Sequence, residues 1–84
     1  MLSVTVLYFA ALRDLAGVGE EQLEVGADGE LSVSTLLLEL QRRHAALQGR
    51  LDSVRVAVNE EFTERGTQLR GGEVVALIPP VSGG

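Results

Sequence analysis

The sequence predicts an α+β domain in which a sheet carries one main helix on a single face. Three observations predict it. Residues 2–10 (LSVTVLYFA) and 73–78 (EVVALI), near opposite ends of the chain, have the β-branched and apolar density of strands. Between them runs one clear amphipathic helix. A chain of 84 residues has room for a single core, so residues 1–84 are read as one domain, with 78–84 as an extended C-terminal tail.

The first strand alternates. Leu2, Val4, Val6 and Tyr8 share one face, and Ser3, Thr5, Leu7 and Phe9 the other, which turns apolar only at its end. Residues 11–17 (ALRDLAG) suit one or two helical turns stopped by Gly17. Residues 20–25 (EEQLEV) read as a short edge strand whose charges discourage further pairing. Residues 26–30 (GADGE) are turn chemistry, and Ser32 then caps the main helix. Val33, Leu36, Leu37, Leu40, His44 and Leu47 form one stripe at 3.6-residue spacing, and Gly49 stops it. Arg42 and Arg43 stand near its C-terminal end, where the dipole favours positive charge.

Residues 53–59 (SVRVAVN) alternate Val54, Val56 and Val58 against Arg55, Ala57 and Asn59, a third strand. The next stretch, EEFTERGTQLRGG, is expected to be irregular and polar, anchored by Phe62 and Leu69. Residues 73–78 are apolar after Glu73, as a central strand covered on both faces would be. The first and last strands are therefore expected side by side at the centre. That arrangement sends the C-terminal tail out of one end of the sheet.

Charge and composition exclude several functions. Twelve acidic residues face seven arginines and no lysine, a net charge of −5, which argues against a nucleic-acid surface. No apolar run approaches the ~20 residues of a membrane span, and the start lacks the pattern of a secretory signal. Cysteine is absent, so there are no disulfides, thiolate metal sites or cysteine nucleophiles. A cytoplasmic location is expected.

The body offers little chemistry. His44 is the sole histidine, too few for a multi-histidine metal site, and reads as a boundary residue with its ring partly covered. No loop histidine is available to activate a serine. Glu60, Glu61 and Glu64 read as a solvated loop. The glycine turns lack the lysine and helix of a phosphate loop. No metal and no bound cofactor is expected.

The end of the chain, IPPVSGG, is different. Pro79 and Pro80 favour an extended path of about 3.1 Å per residue and project Val81 and Ser82 away from the sheet. Gly83 and Gly84, without Cβ atoms, suit a channel too narrow for any other residue. The group delivered would be the Gly84 carboxylate, ionised at neutral pH with a pKa of about 3.3–3.7 and a poor electrophile. A partner must activate it, most simply as an acyl-adenylate from ATP. The activated carbonyl could then accept an amine or sulfide.

Three segments, VLYFAALRDLAG, AVNEEF and LRGGEVVALIPPVSGG, give the whole chain a resemblance to the small subunits of molybdopterin synthase, ubiquitin-like β-grasp sulfur carriers. Gly72 departs from the pattern at a position where an acid is common. The resemblance implies a mixed-sheet β-grasp fold and no catalysis by the chain alone. It implies that an E1-like enzyme adenylates Gly84 using ATP and that a sulfurtransferase supplies the sulfur of a thiocarboxylate. The large subunit of molybdopterin synthase would then receive the tail and pass sulfur to cyclic pyranopterin monophosphate, in a heterotetramer. By position, Phe9, Phe62 and Ile78 match a docking surface for that subunit, and Arg13 matches a basic residue beside it. Thiamine-pathway (ThiS-like) sulfur carriers and ubiquitin-like protein modifiers are the alternative readings of the same end.

Overall fold

The first and last strands form the middle of the sheet, paired in parallel. Strand β1 (Leu2–Tyr8) runs beside β7 (Val74–Ile78) in the register Thr5–Val74 to Tyr8–Leu77. The computed structural model describes residues 1–80. Strand β2 (Glu20–Val25) pairs antiparallel with β1 at one edge. On the other side β4 (Arg55–Val58) pairs antiparallel with β7, and β5 (Glu61–Thr63) with β4, giving the order β2-β1-β7-β4-β5. Two short strands, β3 (Leu31–Ser32) and β6 (Gln68–Leu69), pair separately.

Helix α1 (Ala11–Ala16) follows β1 and ends on Gly17 in the left-handed conformation, as expected. Helix α2 (Val33–Arg43) crosses one face of the sheet. The Ser32 hydroxyl accepts the Thr35 amide at 3.1 Å, the expected N-cap. Val33, Leu36, Leu37 and Leu40 are buried against Val4, Val6, Tyr8, Leu23, Val56, Val75 and Leu77 from the sheet. Leu12, Leu47 and Leu51 join this core, together with Val25, Leu31, Val54 and Leu69.

The helical stripe ends earlier than its spacing predicts. His44 leaves the helix with extended backbone, and Ala45–Leu47 is a separate 3₁₀ turn. Leu47 still reaches the core. The break turns the His44 ring toward β2, where its Nε2 lies 2.7 Å from Glu21 Oε1.

A second correction concerns β7, which is covered on one face only. Val75 and Leu77 are fully buried, whereas Val74 is 39% exposed and Ala76 and Ile78 are half-buried. Its continuous apolar run masks an alternation, because the outward positions are apolar too. A third correction concerns residues 60–72, which contain β5 and β6 where an irregular stretch was expected. Leu69 is the buried anchor there, and Phe62 is not, being 57% exposed.

The β4–β5 hairpin turns on Asn59 and Glu60, with φ of 50° and 71°. Positive φ at both central residues is the requirement of a type I′ turn, usually met by Asn-Gly. Asn59 supports the strained pair. Its amide donates to the Val74 carbonyl at 2.8 Å, and its Oδ1 accepts the Val74 amide at 2.9 Å. Arg65 closes the hairpin from behind: its Nη2 donates to the carbonyls of Leu51, Asp52 and Val54, each at 3.0 Å.

The turn entering β7 is held by a carboxylate. Glu73 accepts the amides of Arg70 and Gly71, each at 2.7 Å. Burial works against its ionisation, and these backbone bonds outweigh it, so the carboxyl titrates below its usual range. A carboxyl depressed in the folded state contributes stability above its unfolded pKa of about 4.3. That contribution is lost as the pH falls through the lower folded value. Glu73→Gln is therefore expected to reduce unfolding free energy at pH 7 by about 1 kcal/mol. Urea titrations should show the parent's advantage shrinking as pH drops from about 5 toward 3.

Candidate docking face and tail exit

The helix covers one face of the sheet and leaves the other open. Strand register shows what that face carries. Leu7 pairs with Ala76, Ala76 with Ala57, and Ala57 with Phe62, one apolar row across four strands. Thr5 and Val74 pair below it, toward the Asn59–Glu60 turn. Above it Ile78 pairs with Arg55. On the β2 flank, Glu20 opposes Leu7, Gln22 opposes Thr5 and Glu24 opposes Ser3, so the apolar field is bordered there by acidic and polar groups.

The largest side chains of this face reach solvent. Phe62 is 57% exposed and Phe9 45%. Phe9 lies one residue beyond β1, at the end of the sheet where Ile78 leads into Pro79. Its placement depends on Ala10, whose φ of 52° and ψ of −128° are rare for a residue with a Cβ. This sharp turn starts α1 immediately: the Leu12 amide donates to Phe9 and the Arg13 amide to Ala10, each at 3.1 Å. Beneath it, Leu12 anchors the short helix in the core.

Phe9, Phe62 and Ile78 thus belong to the open side and its tail-proximal end. Arg13 is placed differently, exposed on α1 with its guanidinium against the α1–β2 turn. A Cβ built on Gly19 would come within 3.0 Å of Arg13 Nε, so this glycine makes room for the arginine. Pro79 is half-buried and Pro80 exposed as the chain leaves β7. Val81, Ser82, Gly83 and Gly84, the end of the expected tail, lie outside the described residues.

Register adds residues that the sequence reading did not single out: Leu7, Ala57, Val74, Ala76 and Arg55. Arg55 places its guanidinium carbon 4.0 Å from the Phe62 ring centroid. The alternation of β4 indicated that Arg55 and Ala57 share a face. Only the hairpin, hidden in a charged stretch, brings Phe62 against them.

Away from this face, one polar cluster is built into the fold. The Tyr8 hydroxyl donates to Glu21 Oε1 at 2.6 Å, and His44 approaches the same oxygen. The two rings meet edge to face with centroids 5.9 Å apart. Burial, then the Glu21 hydrogen bond, pushes the Tyr8 hydroxyl well above its usual pKa, so it stays a donor. The cluster ties β1, β2 and the end of α2 together. Arg42 and then Arg43 likewise hold the half-buried Glu39 carboxyl down at about 2. Among the described residues, no three His, Cys, Asp or Glu groups converge on a metal-sized site. No described helix is long and apolar enough to cross a membrane.

A mixed sheet grasping one long helix, with its first and last strands parallel at the centre, defines a ubiquitin-like β-grasp domain. The crystal structure of SAMP1 from Haloferax volcanii superposes on it with a TM-score of 0.86 at 32% identity, over 98% of this chain and 99% of that one. Residues 6–84 match the ThiS family, and the chain belongs to it. It is 38% identical to the molybdopterin synthase sulfur carrier subunit of Chlamydomonas reinhardtii, covering 99% of this chain and 100% of that protein. The human protein of the same name is 36% identical, covering 100% of this chain and 97% of its own length.

An apolar side chain as exposed as Phe62 contributes little to folding. Phe62→Asp is expected to change the unfolding free energy by less than about 1 kcal/mol, read by urea denaturation. A loss of several kcal/mol would make Phe62 a core residue after all.

Proposed function

We propose that this chain is the sulfur carrier subunit of molybdopterin synthase. The observation that carries the reading is its full-length likeness to proteins of that name, extending through the chain end. The open apolar face, continuous with the strand that leads into IPPVSGG, supplies the physical counterpart. It suits docking beside a tail that enters a partner's active site.

In this reading the Gly84 carboxylate attacks the α-phosphorus of ATP on an E1-like enzyme, releasing pyrophosphate and giving an acyl-adenylate. Sulfide-level sulfur delivered by a sulfurtransferase then attacks the acyl carbon, forming a C–S bond as the bond to AMP breaks, and leaves a thiocarboxylate. The large subunit takes up the tail, and the thiocarboxylate sulfur passes to cyclic pyranopterin monophosphate. Once that sulfur is bonded to the pterin, water cleaves the thioester joining it to Gly84, leaving sulfur on the product and a carboxylate on Gly84. Pro79 and Pro80 aim the tail, Val81 and Ser82 extend it, and Gly83 and Gly84 thread it. Phe9, Phe62 and Ile78 bury apolar surface on the large subunit, about 1.5–3 kcal/mol for each side chain fully covered, and Arg13 flanks them. The chain binds no cofactor itself, and catalytic groups belong to the large subunit in a cytoplasmic heterotetramer.

A second reading, protein modification through an isopeptide bond at Gly84, is favoured by the likeness to small archaeal modifier protein 1 of Haloferax volcanii. Without lysine, this chain would accept no copy of itself on a lysine side chain, so conjugates would not branch from it. The names borne by the relatives described above favour the molybdopterin pathway over a thiamine-pathway carrier.

Deleting Gly84, or adding one residue after it, should abolish molybdopterin formation in a reconstituted synthase while leaving thermal unfolding unchanged. Normal product formation by either variant contradicts the proposal. Phe62→Asp should weaken association with the large subunit at least tenfold, a loss of about 1.4 kcal/mol. Equal binding of this variant and the parent removes Phe62 from the interface.

A further inference from the structure

Arg55 stands out among the charged groups of the open face. It is exposed on β4, directly opposite Ile78, the last residue of β7 before the prolines. Its guanidinium lies over the Phe62 ring, with Cζ 4.0 Å from the centroid. Such a cation–π contact supplies no acceptor oxygen to the guanidinium N–H donors.

The other arginines with identified partners are committed within the fold. Arg42 and Arg43 pair with Glu39, and Arg65 donates to three carbonyls. Among the described residues, Arg55 makes no ion pair, and none accepts a hydrogen bond from its guanidinium. In a chain of net charge −5, this places a cation with no partner among the described residues within the apolar field, beside the point where the chain leaves β7.

Resting on the docking reading above, we propose that Arg55 is a specificity-determining residue of that face. It holds Phe62 in a fixed orientation by stacking and offers its free N–H edge to a carboxylate of the large subunit. The occupant is therefore a partner surface with an apolar recess for Phe62 and Ile78 and an Asp or Glu at its rim. Covering the face with an apolar surface alone would strip water from an unpaired guanidinium, a cost that a complementary carboxylate removes. A planar bidentate contact also fixes register, which matters where a neighbouring strand must aim a tail into a narrow channel.

The test measures binding of the full chain to its large subunit by calorimetry at low and high salt. The variants are Arg55→Leu, Arg55→Gln, Arg55→Lys and Arg55→Glu, with thermal unfolding followed in parallel. Arg55→Glu should weaken Kd by about a hundredfold and Arg55→Leu by about tenfold, with Arg55→Lys between Leu and parent. Parent affinity should fall with added salt, and that of Arg55→Leu should fall less. Arg55→Gln should follow Arg55→Leu, which separates loss of charge from any folding defect of the leucine variant. Parent-like affinity and salt dependence in Arg55→Leu and Arg55→Gln would overturn the carboxylate contact while leaving the docking face intact. Absence of binding by the parent chain would overturn the docking reading and this inference with it.

Discussion

The parallel pairing of β1 with β7 is the constraint on which the rest of the structure depends. It joins the two most apolar strands at the centre, where Val4, Val6, Val75 and Leu77 bury one face under α2. The same pairing aligns the end of β1 with the end of β7, so Phe9 and Ile78 emerge together. A parallel neighbour requires a crossover, and the segment containing α2 supplies it, closing the core as it does so. Core, open face and tail exit therefore follow from one register.

That register also explains how a small domain leaves one face of its sheet apolar and open. The sheet has one buried face, and its other face is free to be apolar without weakening the fold. Leu7, Ala57, Ala76 and Phe62 line up because cross-strand partners share a face. Local strain is concentrated at the points that shape this surface: Ala10 at the tail-proximal end and Asn59–Glu60 at the hairpin tip all have positive φ. Two of these residues are firmly held, Ala10 by the Leu12 anchor that follows it and Asn59 by its two bonds to Val74.

Much of this was legible in the sequence. The period-2 pattern of Leu2, Val4, Val6 and Tyr8, the Ser32 cap and the spacing from Val33 to Leu40 all predicted the elements observed. The failures share a cause: local patterns do not report long-range partners. His44 and Leu47 fitted the helical stripe, but Glu21, 23 positions away in sequence, draws His44 out of it. Residues 74–78 looked covered on both sides because an outward-facing apolar position and a core position carry the same residue types. Phe62 was read as an anchor in an irregular stretch because its hairpin turns on Asn-Glu without the glycine that usually marks a type I′ turn. The family resemblance supplied Phe9, Phe62, Ile78 and Arg13. Arg55 became visible only when register placed it between Phe62 and Ile78.

In the proposed role the fold presents one activatable carboxylate, that of Gly84. The most direct measurement is the intact mass of the protein isolated from its native cells, followed by fragmentation of the C-terminal peptide. Exchange of one Gly84 oxygen for sulfur is the predicted result. A population bearing only the plain carboxylate, together with Gly84 found in isopeptide linkage to lysines of other proteins, would contradict it.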